Sequence, residues 1–296
     1  MKKAKKILLS IFIMMASPIL FLYYQANFLD ISTYSIKSKK IPETFHGYKI
    51  LLLTDLHSKE FGKENWYLIN NINEIDPDII VVTGDMMNAR KDNGNVFLSL
   101  ASKLVKDFPI FYIDGNHELL TKVNDKRTGN IIYSNYIQQL ERMGVHMMND
   151  KKIILNKGED VIHLRGINIP LIFYSAPDVE VPIDFDQMYM EEKIGQRTKN
   201  TYEILLAHYP KYIQAYKEWG ADLVLSGHHH GGMIRLPFIG GMISHEGAFF
   251  PEYDAGVYKV ANTKMVVGRG LGNHTYNIRV FNRPEIVVIQ LEKGNK

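Results

Sequence analysis

The chain has 296 residues, of which 46% are hydrophobic and 23% are charged, a composition typical of a globular protein with one large core or two small ones. Its formal net charge of +3 is too small to indicate a nucleic-acid-binding protein, and no basic face stands out beyond the first residues. The absence of cysteine excludes disulfide bonds, a thiolate nucleophile and metal sites built from cysteine.

The chain begins with lysines at four of its first six positions, and an uncharged run of 18 residues from Ile7 to Tyr24 follows them. This length is at the short end of what crosses a bilayer as a helix. Signal-peptide cleavage after Ala26 is disfavoured, because the bulky Tyr24 stands where a small residue is needed. We therefore predict a short N-terminal segment over residues 1–6, a retained membrane anchor or uncleaved signal over 7–24, a polar linker over 25–45 and one globular domain over 46–296.

The lysines on the short N-terminal flank favour an orientation with that end inside the cell and the domain outside. Lys37, Lys39 and Lys40 lie close to the other end of the anchor and weaken this preference. The expected location is the cell membrane, with a single pass and the globular domain on the outer side.

The globular part alternates between short apolar runs and amphipathic segments. Buried strands are predicted over residues 49–53, 79–82, 110–113, 203–207 and 223–226, and helices over 63–75, 95–108, 131–143 and 210–219. A hairpin is predicted over 152–165, and closing strands over 257–260, 264–267 and 285–291. Residues 170–201 are irregular and form a candidate flap, and 231–256 form a long loop. This order predicts an α/β fold of two packed sheets with helices outside.

Residues that can bind a metal ion follow five of the predicted strands. They are Asp55 and His57, then Asp85, then Asn116 with His117 beside it, then His208, and finally His228 and His230. In open α/β sheets, binding sites form outside the carboxyl ends of the strands. Each residue taken alone has an ordinary reading, since Asp after a strand is often a helix N-cap and Asn-His is often a turn. Because all five strands end in this way, we predict that these residues form a single site.

His228 and His230 alternate, and on an extended segment they would project to the same side. The glycines before and after them allow a sharp turn and the close approach of a ligand. Three consecutive histidines can also be a solvated turn without function. The candidate ligands at the other strand ends favour a metal-binding role for His228 and His230.

The predicted ligands are carboxylate, amide and imidazole groups, a set that suits Mn, Fe or Zn. There are too many of them for one tetrahedral zinc. Two divalent ions about 3.5–4 Å apart, sharing a bridging carboxylate, would use them all, activate a bound water and hold a phosphoryl group for in-line attack.

These residues resemble the five sequence blocks of the calcineurin-like metallophosphoesterases. In chain order the matching motifs are Asp55-Leu-His57, Gly84-Asp85 with Asn88, Gly115-Asn116-His117-Glu118, His208 and Gly227-His-His-His230. The N-terminal anchor, Arg269-Gly-Leu-Gly272 and Asn282-Arg-Pro-Glu285 are similar to the bacterial membrane-anchored branch of that family. The resemblance implies a four-layer sandwich of two mixed β-sheets flanked by helices, in a metallophosphoesterase domain.

The resemblance also implies a role for each matched residue. Asp55, His57 and His230 would hold one ion, Asn116, His208 and His228 the other, and Asp85 would bridge the two. His117 would act on the leaving group rather than on a metal, with Glu118 as its orienting partner. The nucleophile would be a metal-bridging hydroxide. His229 stands where the family more often has a small residue, and we assign it no role.

Arg235 and Arg269 are candidate phosphate clamps, because guanidinium groups match phosphate geometry, although a surface salt bridge explains either of them equally well. The same two readings apply to Asn273 and His274. Four apolar residues in the loop after the histidines are candidates either for packing or for contact with lipid: Phe238, Ile239, Phe249 and Phe250.

Three functions are compatible with this pattern. The leading one is two-metal hydrolysis of a phosphodiester or pyrophosphate in a membrane- or envelope-associated substrate, which could be a phosphorylated small molecule or a lipid-linked compound. The second is a non-catalytic metal-binding docking module, which has no need of His117 beside Asn116. The third is a nuclease, against which the modest charge argues, so that no nucleic-acid partner is expected.

Overall fold

A computed structural model describes residues 2–89, 92–174, 181–236, 239–243, 249–273 and 279–295. The helices in these segments are α1 (Lys2–Asn27), α2 (Trp66–Ile75), α3 (Asn95–Leu104), α4 (Asn116–Thr128), α5 (Ile132–Met143), α6 (Gln187–Ile194) and α7 (Ile213–Trp219). The strands are β1 (Asp30–Ser38), β2 (Lys49–Leu53), β3 (Ile79–Val82), β4 (Ile110–Tyr112), β5 (His146–Met147), β6 (Lys151–Lys157), β7 (Asp160–Ile167), β8 (Tyr202–Ala207), β9 (Leu223–Ser226), β10 (Ile234–Leu236), β11 (Gly240–Ile243), β12 (Gly256–Val260), β13 (Thr263–Val267) and β14 (Glu285–Lys293).

The strands form two large mixed sheets and a short ribbon. The first sheet has the order β1-β14-β2-β3-β4-β5, with β2 to β5 parallel and β14 antiparallel to β2. The second has the order β12-β13-β9-β8-β7-β6, with its four inner strands parallel and an antiparallel strand at each edge. Among the residues that the structure describes, strands β10 and β11 pair only with each other as strands.

Apolar packing places the two sheets face to face with helices on their outer sides. The inner strands are apolar on both faces because each face is covered; every residue of β3 and of β8 is buried. One core fills the space between the sheets, where Leu52 of the first sheet and Leu225 of the second belong to the same cluster. Helices α2, α3 and α5 cover the first sheet, and α6 and α7 cover the second. The predicted four-layer sandwich is therefore confirmed.

The linker predicted over residues 25–45 is wrong for its central part. Residues 30–38 form β1, which pairs in parallel with β14 over its whole length, from Asp30 opposite Glu285 to Ser38 opposite Lys293. The strand lies at the edge of its sheet, and Ile36 is its main buried residue. Because most of its other residues are polar, its sequence lacks the alternation of apolar and polar residues that identifies a half-buried strand. The globular part consequently begins before residue 46.

Five further elements were not predicted: α4, α6, β5, β10 and β11. Helix α4 begins directly at Asn116, inside the motif Gly115-Asn116-His117-Glu118, for which the sequence pattern predicts site residues but no helix. Helix α6 lies within the irregular stretch 170–201, where Asp186 caps it and Met190 is buried. Strands β10 and β11 lie within the predicted long loop. The predicted hairpin over 152–165 is confirmed by the pairing of β6 with β7.

Helix α1 contains a candidate membrane span, Lys5–Asn27, within which an 18-residue window has a mean hydropathy of 2.1, so the helix is long and apolar enough to cross a membrane. Its last turns contact the globular part. Phe21 lies edge-on to Phe281, with ring centroids 5.4 Å apart, and Arg283 donates to the Tyr24 hydroxyl at 3.0 Å. Lys59 donates to the carbonyl of Ala26.

If β1 belongs to the core sheet, Ile36→Ala in the full chain should lower the free energy of unfolding by about 2–5 kcal/mol, because it removes a buried side chain and leaves a cavity. Ile31→Ala on the same strand is the matched control: Ile31 is 43% exposed whereas Ile36 is 1% exposed. Chemical unfolding in detergent micelles measures both. Equal losses for the two variants would show that β1 is not packed as described.

Candidate metal centre

The carboxyl ends of five strands bring the predicted ligands to one place between the two sheets. Strands β2, β3 and β4 of the first sheet precede Asp55 with His57, Asp85 and Asn116, respectively. Strands β8 and β9 of the second sheet precede His208 and the pair His228 and His230. All seven predicted metal ligands therefore lie at neighbouring strand ends, as the sequence pattern indicated.

The first group of ligand atoms comes from Asp55, His57 and His230, and all of these atoms lie within 4.8 Å of one another. The Nε2 atoms of His57 and His230 are 3.2 Å apart, and the His230 Nε2 is 3.5 Å from the Asp55 Oδ1. All three side chains are buried.

The second group comes from Asp85, His208 and His228, again within 4.8 Å of one another. Asn116 completes it, because its Oδ1 lies 3.1 Å from the His208 Nε2 and 3.0 Å from the His228 Nδ1. An amide oxygen and two imidazole nitrogens thus point at a common centre.

Asp85 lies between the two groups. Its Oδ2 is 3.3 Å from the Nε2 of His208 in one group and 3.8 Å from the Nε2 of His57 in the other. Its Oδ1 accepts the backbone N–H of His117 at 2.8 Å. This buried carboxylate is positioned as a ligand shared by two ions must be.

Two backbone carbonyls fix the orientation of ligand imidazoles. The Nδ1 of His208 lies 2.5 Å from the carbonyl oxygen of Thr83, and the Nδ1 of His230 lies 3.0 Å from that of Gly272. A carbonyl only accepts, so in the neutral imidazole the proton is on Nδ1 and the Nε2 lone pair is directed into the site.

The electrostatics of the site favour bound cations. Burial raises the pKa of Asp55. Burial also acts to raise the pKa of Asp85, but His208 and His117 outweigh it and hold that pKa well below its usual range. Burial acts to lower the pKa of His208, but Asp85 raises it to about 9. A cation that binds His208 therefore displaces a proton and gives the buried carboxylates a permanent positive partner.

The backbone at the site is held in an uncommon conformation. Five of the seven predicted ligands have positive φ: Asp55 (52°), His57 (47°), Asp85 (55°), His228 (74°) and His230 (52°). The extended conformation expected for the histidine segment is wrong, because these residues form a tight turn that directs His228 to one group and His230 to the other. Such backbone strain is concentrated at functional sites, where surrounding contacts maintain it.

Glycine is required where the strand ends approach most closely. A Cβ on Gly227 would lie 1.9 Å from the Thr54 Oγ1 and 2.4 Å from the Asp55 Oδ2. A Cβ on Gly115 would lie 2.2 Å from the Asp85 Oδ1. Both glycines therefore let a ligand carboxylate sit against the neighbouring backbone.

The donor set fits a pair of divalent cations. It offers imidazole nitrogens and carboxylate and amide oxygens in two groups joined by Asp85, with the Nε2 atoms of His208 and His230 already directed inward. This chemistry suits Mn, Fe or Zn and does not select among them.

His117 is beside the cluster, with its ring centroid 4.6 Å from that of His57. Its Nδ1 accepts the backbone N–H of Ala89 at 3.0 Å. An accepting Nδ1 carries no proton, so the neutral imidazole carries its proton on Nε2.

The predicted pairing of Glu118 with His117 is wrong. The Glu118 carboxylate accepts the backbone N–H groups of Asp85 at 2.9 Å, Met86 at 2.8 Å and Gly115 at 2.9 Å. Its place in the first turn of α4 points it at the strand ends rather than at the neighbouring ring. Burial raises the pKa of Glu118 to about 7. Glu118 thus joins the loops after β3 and β4, which carry Asp85 and Asn116.

The two candidate phosphate clamps line one cavity of about 170 Å³. Arg235 forms an ion pair with Asp254 at 2.7 Å, and Arg269 contacts Asp30 at 2.8 Å and Glu285 at 2.9 Å. Both guanidinium groups therefore have carboxylate partners in this structure, and their contact with phosphate stays a prediction.

The loop residues Ile239, Phe249 and Phe250 are exposed, so the packing alternative is wrong for them. Phe238 and His274 lie outside the described residues.

Sequence reasoning missed two residues that support the site. The buried guanidinium of Arg279 donates to the carbonyls of Gly272 at 2.8 Å and Arg269 at 3.0 Å, and Gly272 in turn orients His230. Asn282 donates to the carbonyl of His230 at 2.7 Å. Asn282 belongs to a motif quoted above, whereas the spacing around Arg279 gives no signal, because its acceptors are backbone groups brought in by folding.

The sequence pattern that defines the calcineurin-like phosphoesterase family matches residues 48–232, which is more than half of the chain. The uncharacterized metallophosphoesterase YkuE of Bacillus subtilis is 28% identical over 285 residues, covering 92% of this chain and 89% of the relative. The uncharacterized metallophosphoesterase Cj0846 of Campylobacter jejuni is 30% identical over 286 residues, covering 93% and 68%. A Danio rerio transmembrane protein with metallophosphoesterase domain is 25% identical over 270 residues, covering 88% and 56%.

The family match contains every residue of the two ligand groups, from Asp55 to His230. The fold, the order of the ligand-bearing strand ends and the relatives agree. The chain therefore belongs to the calcineurin-like phosphoesterase family and is a metal-dependent hydrolase.

Proposed function

We propose that this hydrolase cleaves a phosphodiester or pyrophosphate bond in a membrane- or envelope-associated substrate, with two divalent ions bound at the strand ends. The observation that carries the proposal is the position of the buried Asp85 carboxylate between two groups of ligand atoms. A single ion would leave one of these groups of buried donors without a cation.

In this proposal Asp55, His57 and His230 hold one ion, and Asn116, His208 and His228 hold the other, with Asp85 shared. Two ions bound there supply Lewis-acid stabilisation of the phosphoryl charge and activation of water for in-line attack. The protein's part is to hold the ligands in place, through the carbonyls of Thr83 and Gly272 and the carboxylate of Glu118.

His117 is the proposed proton donor to the leaving oxygen. Its Nδ1 is occupied by the Ala89 N–H, so the proton of the neutral ring is on Nε2. A donor at this position stabilises the charge that develops on the departing alkoxide. His57, Asp85 and His117 also offer ligand atoms within 4.8 Å of one another, so the role requires His117 to stay off the metals despite its position. It is Asn116, rather than His117, that lies between His208 and His228.

We infer a single-pass location in the cell membrane with the catalytic domain outside. Helix α1 supports the anchor by its length and hydropathy, and the lysines that precede Ile7 favour a cytoplasmic N-terminus. The Danio rerio relative is named a transmembrane protein, which is consistent with an anchored member of the family.

Hydrolysis is tested with purified full-length protein, Mn²⁺ and bis(4-nitrophenyl) phosphate, by following release of 4-nitrophenolate. We expect turnover, and we expect Asp85→Asn to lower kcat/KM at least ~100-fold and to reduce bound manganese, because it removes the charge shared by both ions. Asp107→Asn, an exposed position, is the control and should change neither value.

Lack of turnover with this diester, with phosphomonoesters and with nucleotide diphospho-sugars, while metal still binds, would favour the non-catalytic docking module. Salt-dependent binding and cleavage of DNA or RNA would favour the nuclease instead.

The role of His117 is tested by leaving-group dependence. His117→Ala should lower kcat roughly 10²–10³-fold for methyl phenyl phosphate, and much less for methyl 4-nitrophenyl phosphate, because 4-nitrophenolate departs without a proton. Bound manganese should not change. His229→Ala is the matched control and should behave as the unchanged protein. An equal loss with both esters would exclude proton donation by His117.

The orientation of the domain relative to the membrane is tested by cysteine labelling. The chain has no cysteine of its own, so only the introduced residue can react. Ile154→Cys lies on the exposed edge strand β6 and should react with a membrane-impermeant maleimide in intact cells. Lys3→Cys precedes the anchor and should react only after the cells are broken. The reverse pattern would place the domain in the cytoplasm.

A further inference from the structure

A second cavity lies where α1 meets the globular part. It has a volume of about 340 Å³ and is lined mainly by aromatic side chains from the end of the helix and from the loop after β2 and its continuation into α2. The lining residues are Tyr23, Asn27, Phe28, Glu60, Phe61, Gly62, Trp66 and Tyr67. We call this the anchor pocket.

The anchor pocket and the metal centre share one loop. Asp55 and His57 are ligands in that loop, and Glu60, which lines the pocket, follows His57 by three residues. Three residues span at most about 11 Å when fully extended. Lys59, between them, donates to the carbonyl of Ala26 at the end of α1 and lies over the Phe61 ring. A molecule in the pocket is therefore within reach of the metal centre.

Local structure holds the pocket open in a defined shape. Asn65 is buried and accepts the backbone N–H of Phe61 at 2.9 Å, and the N–H of Tyr67 returns to the carbonyl of Phe61 at 3.1 Å. Gly62 has a φ of 76°, and a Cβ there would lie 2.1 Å from the Nε1 of Trp66. Glycine at position 62 thus gives the indole its place as one wall of the pocket.

The pocket is continuous with the surface of the anchor. The apolar side chains of α1 from Ile7 to Leu20 are almost all exposed, and the same exposed surface leads into the pocket through Tyr23. Tyr23 is 63% exposed and Trp66 is 55% exposed, which is typical of aromatic residues at the boundary between lipid and water. If α1 crosses a bilayer, these two aromatic residues would place the mouth of the pocket at the level of the lipid head groups.

We propose that the anchor pocket binds the alkyl chain of an amphiphilic phosphoester, and so selects lipid-linked substrates presented at the membrane surface. The inference rests on the proposed function and narrows its substrate class. The aromatic lining offers apolar surface against which an alkyl chain can pack, and the continuity with the exposed apolar surface of α1 identifies the bilayer as its source.

The experiment compares two diesters that release the same 4-nitrophenolate by the same reaction with water: hexadecyl 4-nitrophenyl phosphate and ethyl 4-nitrophenyl phosphate. Full-length protein with Mn²⁺ in lipid nanodiscs is used. The kcat/KM ratio of the hexadecyl to the ethyl ester should be at least about ten, the amount that burial of two methylene groups supplies.

Trp66→Glu places a charge in the pocket wall at a largely exposed position. It should lower the hexadecyl-to-ethyl ratio of kcat/KM to the value that enrichment of the hexadecyl ester in the nanodisc produces without the pocket. Ile154→Glu, the same kind of change on the exposed edge strand β6, is the matched control and should leave the ratio unchanged. Turnover of the ethyl ester should be the same in all three proteins, which shows that the metal centre and the fold are intact.

An unchanged ratio in Trp66→Glu, or equal turnover of both esters by the unaltered protein, overturns the proposal and leaves phosphoester hydrolysis standing. Failure to hydrolyse either ester contradicts the proposed function instead. Photo-crosslinking then tests the pocket without activity: phosphatidic acid with a diazirine at the end of one acyl chain, in phosphatidylglycerol nanodiscs, should label residues 60–67. Labelling confined to α1 overturns the proposal.

Discussion

The carboxylate of Asp85 is fully enclosed by the protein, together with that of Asp55, and the rest of the centre is arranged around this constraint. Two buried carboxylates destabilise a fold unless positive charge accompanies them. Imidazole groups from both sheets surround them, and those of His57 and His208 lie close to Asp85. The compensating positive charge is therefore supplied either by protons on these imidazoles or by bound cations. Charge balance thus links the fold of the chain to the chemistry of its family.

The backbone that presents these ligands is strained, and separate sets of contacts maintain it. Glu118 joins the loops after β3 and β4 on the side of the first sheet. Arg279 and Asn282 bind the carbonyls around His230 on the opposite side. Each of these supporting side chains binds main-chain atoms of a ligand-bearing loop. The loop conformation therefore depends on these contacts, and a conservative change in a ligand side chain would not replace them.

Helix α1 is joined to the globular structure by specific contacts and is not a flexible tether. The strand β1, which follows α1 after only two residues, adds to the same sheet that supplies three of the ligand-bearing strand ends. The last turns of α1 contact Phe281 and Arg283, close to Asn282 and its contact with the His230 carbonyl. The metal centre is consequently fixed at a defined position relative to α1.

The amino-acid sequence by itself determined the two-sheet architecture, the apolar N-terminal helix and the clustering of the seven candidate ligands, because strand periodicity, hydropathy and the residues directly after a strand are local properties. It did not determine β1, whose pairing with β14 joins residues more than 250 positions apart. Nor did it determine the partners of Glu118, Arg279 and Arg235 or the anchor pocket. Only the tertiary structure decided these, because each depends on backbone groups, carboxylates or rings that packing brings together from distant parts of the chain.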